Sequence, residues 1–258
     1  MISSPHNPKL KLIRALQGRA KERRETGAFL AEGVRLVEEA VNSNWSMRFV
    51  LFDETLNGRG RSQVESLRSR GVDVEEVSTS LMKSLSETES PQGILAVLEL
   101  TQLPITNSPT FILIPDQIRD PGNLGTLLRT AVAAGVQAVL LPPETTDAFA
   151  PKVLRAGMGA HFRLPIHSMT WDEIKRFCES ANQRVYLADM DGQSCWEMDL
   201  RQPLALIIGN EAGGASESAR KLANQKIGIP MNGNIESLNA GVAGSVLMFE
   251  VVRQRRSV

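Results

Sequence analysis

The sequence predicts an α/β protein in two parts. A small α/β domain covers residues 1–100, a linker covers 101–109, and residues 110–258 form a mostly parallel sheet with helices on both faces. Three observations lead there. Strand-length apolar runs such as Phe111-Ile112-Leu113-Ile114 and Leu204-Ala205-Leu206-Ile207-Ile208 alternate with stretches of helical spacing, the pattern of parallel strands joined by crossover helices. The stretch Thr101-Gln102-Leu103-Pro104-Ile105-Thr106-Asn107-Ser108-Pro109 holds two prolines and no charge, and it has no periodicity, which marks a boundary. Finally, 258 residues, 42% of them hydrophobic, suffice to bury one large core or two small ones.

The elements follow in order. The first 25 residues carry Lys9, Lys11, Arg14, Arg19, Lys21, Arg23 and Arg24 against only Glu22 and Glu25, on a segment whose Leu10, Ile13 and Leu16 recur at helical spacing. Such a helix is either a solvated amphipathic face or a surface for a polyanion such as RNA. A short strand and turn over 27–33 and a helix through Val34, Leu36, Val37, Ala40 and Val41 come next. Then come a strand at 48–52, a helix near 63–70, an extended stretch at 72–77 and a strand at 93–98. Beyond the linker, strands are expected at 111–115, 137–141, 184–188, 204–208 and 226–229. Helices are expected at 123–134, 172–181 and from about 238 to 253.

Composition removes several classes of function. Lys+Arg 29 against Asp+Glu 29 leaves no net field, so any basic surface is local. No apolar run approaches the roughly 18 residues of a membrane span. The N-terminus lacks the pattern of a secretory signal, and Cys178 and Cys195 form no CxxC, so a cytoplasmic protein is expected. No His, Cys and carboxylate cluster has ligand spacing, so no metal is expected.

The informative loops follow strands, where open α/β sheets bind ligands. After the strand at 111–115, Pro121 and Gly122 interrupt the chain, Asn123 is a candidate helix cap, and Gly125 and Arg129 lie four apart on one helix face. Arginine beside glycine suits anion recognition, and a surface ion pair explains it equally well. After 204–208 runs Gly209-Asn210-Glu211-Ala212-Gly213-Gly214-Ala215-Ser216, either a tight turn or a close backbone approach to a ligand. After 226–229 come Pro230-Met231-Asn232-Gly233 and then Ser237-Leu238-Asn239, leading into a helix that opens with Ala240, Gly241, Ala243 and Gly244. So many small residues disfavour an isolated helix. Close packing against a second subunit or against the sheet is the compensation expected.

Together these loops resemble the three motifs of the SpoU/TrmH family of RNA 2′-O-methyltransferases, within the SPOUT class. The first resembles Asn-x-Gly-x-x-x-Arg (Asn123, Gly125, Arg129), and the second Gly-x-Glu-x-x-Gly (Gly209, Glu211, Gly214). The third resembles Ile-Pro-Met-x-Gly with Ser-Leu-Asn (229–233 and 237–239). The match covers about 110–255, and residues 1–100 are more loosely similar to the ribosomal-protein-like RNA-binding domain of rRNA-modifying members. The resemblance implies a deep trefoil knot, a homodimer and S-adenosylmethionine as cofactor, with methylation of a ribose 2′-hydroxyl in RNA, 23S or large-subunit rRNA foremost. It implies a catalytic Arg129 assisted by Asn123, Glu211, Ser237 and Asn239, and a cofactor pocket at Gly209, Ile229 and Leu238 with Met231 and Ala188 beside them. Lys9, Lys11, Arg14, Arg129 and Arg155 are the expected RNA contacts. Two departures stand out: the chain has Ala240-Gly241 where the family usually has Val-Ser, and Gly157 where a serine is common. A tRNA 2′-O-methyltransferase and a catalytically silent ribosome-assembly factor of the same fold are the competing readings.

Overall fold

Two sheets carry the strands of the chain, which a computed structural model describes over residues 2, 4–210, 213–233 and 237–256. The chain divides into two units, Met1–Thr101 with Phe149–Phe162, and Gln102–Ala148 with Arg163–Val258.

In the first unit, Asn7 caps helix α1 (Pro8–Gln17) by accepting from the Lys9 N–H, and the chain breaks at Gly18 before α2 (Ala20–Thr26). The basic segment is thus two helices where the sequence suggested a single helical stretch. Arg23 is buried, and its guanidinium donates to the Leu16 carbonyl at 2.6 Å and the Gly18 carbonyl at 3.1 Å, closing the corner. Strands β1 (Ala28–Glu32), β2 (Met47–Phe52), β3 (Val74–Glu76) and β4 (Ile94–Glu99) form a sheet in the order β1-β4-β2-β3. Only the β2–β3 pair is parallel. Leu10, Ile13 and Leu16 of α1 and Met82 and Leu85 of α5 (Thr79–Leu85) bury against Leu30, Phe49, Leu51, Leu95 and Val97. Helices α3 (Val34–Asn42) and α4 (Gly58–Ser69) complete the unit, together with α7 (Pro151–Gly157) and a 3-10 turn at Ala160–Phe162. Phe149 and Phe162 place their rings 5.0 and 6.3 Å from that of the fully buried Phe29.

The second unit is a six-stranded, wholly parallel sheet in the order β10-β8-β9-β5-β6-β7. Its strands are β5 (Phe111–Pro115), β6 (Ala138–Leu141), β7 (Ile166–Ser168), β8 (Arg184–Ser194), β9 (Leu204–Ile208) and β10 (Gln225–Gly228). On one face Ile112, Ile114, Ala205 and Ile207 bury against Ile174 and Cys178 of α8 (Trp171–Ser180) and Ala219 of α9 (Glu217–Leu222). The other face carries α6 (Pro121–Ala133) and α10 (Ala240–Arg256), which pack together. Asp120 caps α6, accepting from the Asn123 N–H at 2.8 Å with Pro121 at the first helical position. This corrects the expectation that Asn123 is the cap.

The glycines of α10 answer the packing question within the chain. A Cβ on Gly244 would collide with the Leu127 side chain and meet Ile208 at 3.3 Å, and one on Gly241 would meet Thr126 at 3.2 Å. Small residues therefore let α10 lie against α6 and β9.

Strand β8 departs furthest from expectation, running to Ser194. Its pairing with β10 jumps from Leu187↔Lys226 to Gln193↔Ile227, so residues 188–192 loop out of the ladder. The chain returns at Gly192, where a Cβ would run into the backbone of Ile227 and Gly228.

Candidate active site

Four segments at the carboxyl ends of parallel strands meet in one place. Asp116, directly after β5, is fully buried, and its Oδ2 accepts from the Ser216 N–H at 2.6 Å. Burial pushes its carboxyl up, against the opposing pull of that amide. Next in the chain, Gln117 sits at φ 53°, its N–H donating to Thr145 Oγ1 at 3.1 Å and its carbonyl accepting from Asn210 Nδ2 at 3.1 Å. The loop after β9 folds back on itself, the Asn210 N–H donating to the Gly214 carbonyl at 3.1 Å. A Cβ on Gly209 would lie 2.9 Å from the Ala215 nitrogen, so the fold-back requires glycine there.

The helix starts are joined as well. Asn239 donates from Nδ2 to Asn123 Oδ1 at 2.8 Å, while its own Oδ1 accepts from the Val242 N–H at 3.1 Å and caps α10. Behind this pair Thr130 and Ser245 share a hydroxyl hydrogen bond at 2.9 Å. Arg129 is exposed on α6 and has no hydrogen-bond or ion-pair partner among the described residues.

Between these loops opens a cavity of about 410 Å³, within the range of small-molecule sites. Ala188, Gly209, Ile229, Met231 and Leu238, the five residues expected from the sequence, all line it, as does Ser237. Ile208, Ile227 and Leu247 add apolar wall. Asn123 and Asn239 are brought together by their hydrogen bond; Arg129 is not among the lining residues, and Glu211 lies outside the described residues.

The looped-out segment supplies a wall that the sequence reading missed. Asp189, Met190 and Asp191 line the cavity, and so does Arg220 of α9. Asp189 Oδ2 takes Lys226 Nζ at 3.0 Å and Arg220 at 3.4 Å, and its Oδ1 accepts from the Asp191 N–H at 3.1 Å. Burial works to raise this carboxyl, yet Lys226, the Asp191 amide and Arg220 together hold it below the usual carboxylate range. The signal that was available is the polar run Asp189-Met190-Asp191-Gly192, which ends an apolar strand with a glycine.

Of the expected RNA contacts, Lys9 is ion-paired to Asp73 at 2.5 Å and to Glu75, and its ammonium lies 5.1 Å from the centre of the Phe49 ring. Burial opposes its charge, but the bonds to the two carboxylates raise its pKa. Arg155 faces Glu32 at 3.7 Å and Glu87 at 3.4 Å. Both charges are therefore compensated within the first unit. Lys11 and Arg14 are exposed. Among the described residues no three His, Cys, Asp or Glu are gathered as metal ligands would be, and no helix is long and apolar enough to cross a membrane.

Residues 110–249 match the model of the SpoU rRNA methylase family. The chain belongs to the SpoU rRNA methylase family. Residues 7–96 match the MRM3-like substrate binding domain, so the SpoU region is preceded by a module of its own. The chain is 34% identical over 252 residues to the 23S rRNA (guanosine(2553)-2′-O)-methyltransferase RlmP of Bacillus subtilis (strain 168), covering 97% of this chain and 98% of that one. Its fold matches the SpoU methyltransferase AviRb from Streptomyces viridochromogenes with a TM-score of 0.87 at 28% identity, over 97% of this chain and 98% of that one. AviRb in complex with the cofactor AdoMet matches with a TM-score of 0.85 at 29% identity, over 98% and 100% of the two chains. The parallel sheet flanked by helices is thus the SpoU fold, as expected.

Proposed function

We propose that this protein is an S-adenosylmethionine-dependent RNA 2′-O-methyltransferase acting on large-subunit rRNA in the cytoplasm. The observation that carries the reading is the cavity at the strand ends, lined by Ala188, Gly209, Ile229, Met231 and Leu238. Its volume and its apolar walls fit an adenosine, and the tight turn at Gly209 leaves backbone groups to hold it. Similarity to rRNA 2′-O-methyltransferases along nearly the whole chain supports rRNA as the substrate class.

When bound, S-adenosylmethionine supplies a methyl group on a sulfonium. The 2′-hydroxyl that would receive this methyl must give up its proton to solvent, and the sulfur would leave as the neutral thioether. Arg129, exposed on α6, holds a substrate phosphate through its guanidinium and stabilises the negative charge developing on the 2′-oxygen. The Asn123–Asn239 pair fixes the start of α10, and with it Ser237 at the cavity wall. Glu211 completes the polar set. Val242 and Phe249, 49% and 48% exposed on α10, supply the apolar face of a homodimer. The expected trefoil knot belongs to the same reading, supported by the likeness of the fold to the SpoU methyltransferase AviRb.

The test is incubation with methyl-labelled S-adenosylmethionine and either unmodified rRNA or a tRNA pool, followed by nucleoside analysis. A labelled 2′-O-methyl nucleoside from rRNA is expected, falling about 100- to 1000-fold in Arg129→Ala, with Arg129→Lys recovering only part. Label in tRNA alone would replace rRNA by tRNA as substrate. Label in neither RNA, in free form or as assembled ribosomal subunits, would favour a silent RNA-binding protein.

A further inference from the structure

Three of the residues that line the cavity carry charge: Asp189, Asp191 and Arg220. Their commitments differ. Asp189 is occupied by Lys226 at 3.0 Å and by its own turn through the Asp191 N–H. Arg220 spends Nε on the Ala215 carbonyl at 3.2 Å and reaches Asp189 only at 3.4 Å, with 46% of its side chain exposed. A Cβ at Gly214 would lie 3.1 Å from Arg220 Nη2, so glycine at that position keeps the end of the guanidinium open. The Asp191 side chain is exposed and makes no hydrogen bond to a described residue.

Resting on the cofactor reading above, we infer that Arg220 and Asp191 recognise the amino-acid end of S-adenosylmethionine, the guanidinium taking its α-carboxylate and the carboxylate its α-ammonium. A zwitterion placed in a largely apolar cavity needs one cation and one anion, and backbone groups at Gly209, Ile229 and Leu238 supply neither. Arginine binds a carboxylate through two parallel N–H donors. Lys226 neutralises Asp189, so Arg220 can turn to the ligand without leaving a half-buried carboxylate alone. The loop at 188–192 is then a specificity wall, set into the cavity because β8 leaves its ladder there.

Calorimetric titration of the full-length protein with S-adenosylhomocysteine and with methylthioadenosine, which lacks only the amino-acid end, separates this pair from the rest of the site. Wild type should bind S-adenosylhomocysteine the more tightly. Arg220→Gln should weaken S-adenosylhomocysteine about tenfold, the loss of one charge-assisted contact, and leave methylthioadenosine within about twofold. Arg220→Lys should recover part of the loss, and Asp191→Asn should act in the same direction by about threefold. Equal affinity of wild type for the two nucleosides would overturn the inference and leave the cofactor reading intact. So would an Arg220→Gln variant that weakens both nucleosides alike or neither. Binding of neither nucleoside by wild type would overturn the cofactor reading itself.

Discussion

Asp116 shows how a single residue shapes the site without lining it. Its Oδ2 holds the Ser216 N–H, and its Oδ1 is buried without a hydrogen-bond partner among the described residues. The folded-state pKa lies above the ordinary 3.8, so the unfolded chain releases this proton first as pH rises. Stability is therefore fully present below that ordinary value, falls between it and the raised folded value, and levels off above. Urea unfolding of wild type and Asp116→Asn between pH 3 and pH 7 should show the difference in stability moving against wild type as pH rises; movement in its favour would refute the account. At this scale the sequence was legible where a short polar residue leads into a helix, as at Asn239, and misleading at Asn123, where Asp120 proved to be the cap. It was not legible where a charge meets a distant partner: Lys9 finds Asp73 64 residues away, and Arg155 finds Glu87 68 residues away. Spacing along the chain carries no trace of such pairs.

Most strands and the longer helices were legible because their apolar periodicity survives in the fold, whereas α5, α7, α9 and β7 were not, each being too short for a period to show. Leu124, Leu127, Leu128 and Ala131, at helical spacing in the sequence, are all buried on α6. Strand β8 was legible only as far as Ala188, because beyond it the residues are polar and the pairing is set by the β10 backbone. Gly192 is where that pairing resumes, and the backbone atoms a Cβ would meet there have no flexible end to yield. Gly192→Ala should cost about 1–3 kcal/mol, lowering Tm by roughly 2–4 °C for each kcal/mol, and should weaken nucleoside binding in the same calorimetric assay. An unchanged melting point together with unchanged affinity would show that the two strands can part freely. The glycines of α10 were correctly read as a demand for close packing, but composition cannot name the neighbour, which proved to be Leu127 and Ile208.

For the whole molecule, zero net charge conceals a basic end. Lys11 and Arg14 on α1, Arg24 on α2 and Arg19 between the two helices are exposed. If they meet four phosphates of single-stranded RNA, a fourfold rise in salt should weaken binding roughly 50-fold, since each phosphate contributes about 0.7 to the logarithmic slope. Lys11→Gln with Arg24→Gln should halve that slope, and an unaltered slope would remove these helices from the interface. Sedimentation of Phe249→Glu should give a monomer where wild type gives a dimer; a wild-type monomer would leave the α10 face without that role.

The segment Phe149–Phe162 lies inside the stretch matched by the SpoU family model, yet it completes the first unit. During synthesis, that unit cannot close its core around Phe29 when its first 101 residues have emerged. It must wait until Phe162 has emerged, by which time β5, α6 and β6 are already outside the ribosome and unpaired with β9. The order of manufacture thus obliges the two units to mature together. A chain cut at the linker should yield a first piece with an uncovered Phe29 and a second piece carrying two stranded phenylalanines, both prone to aggregate.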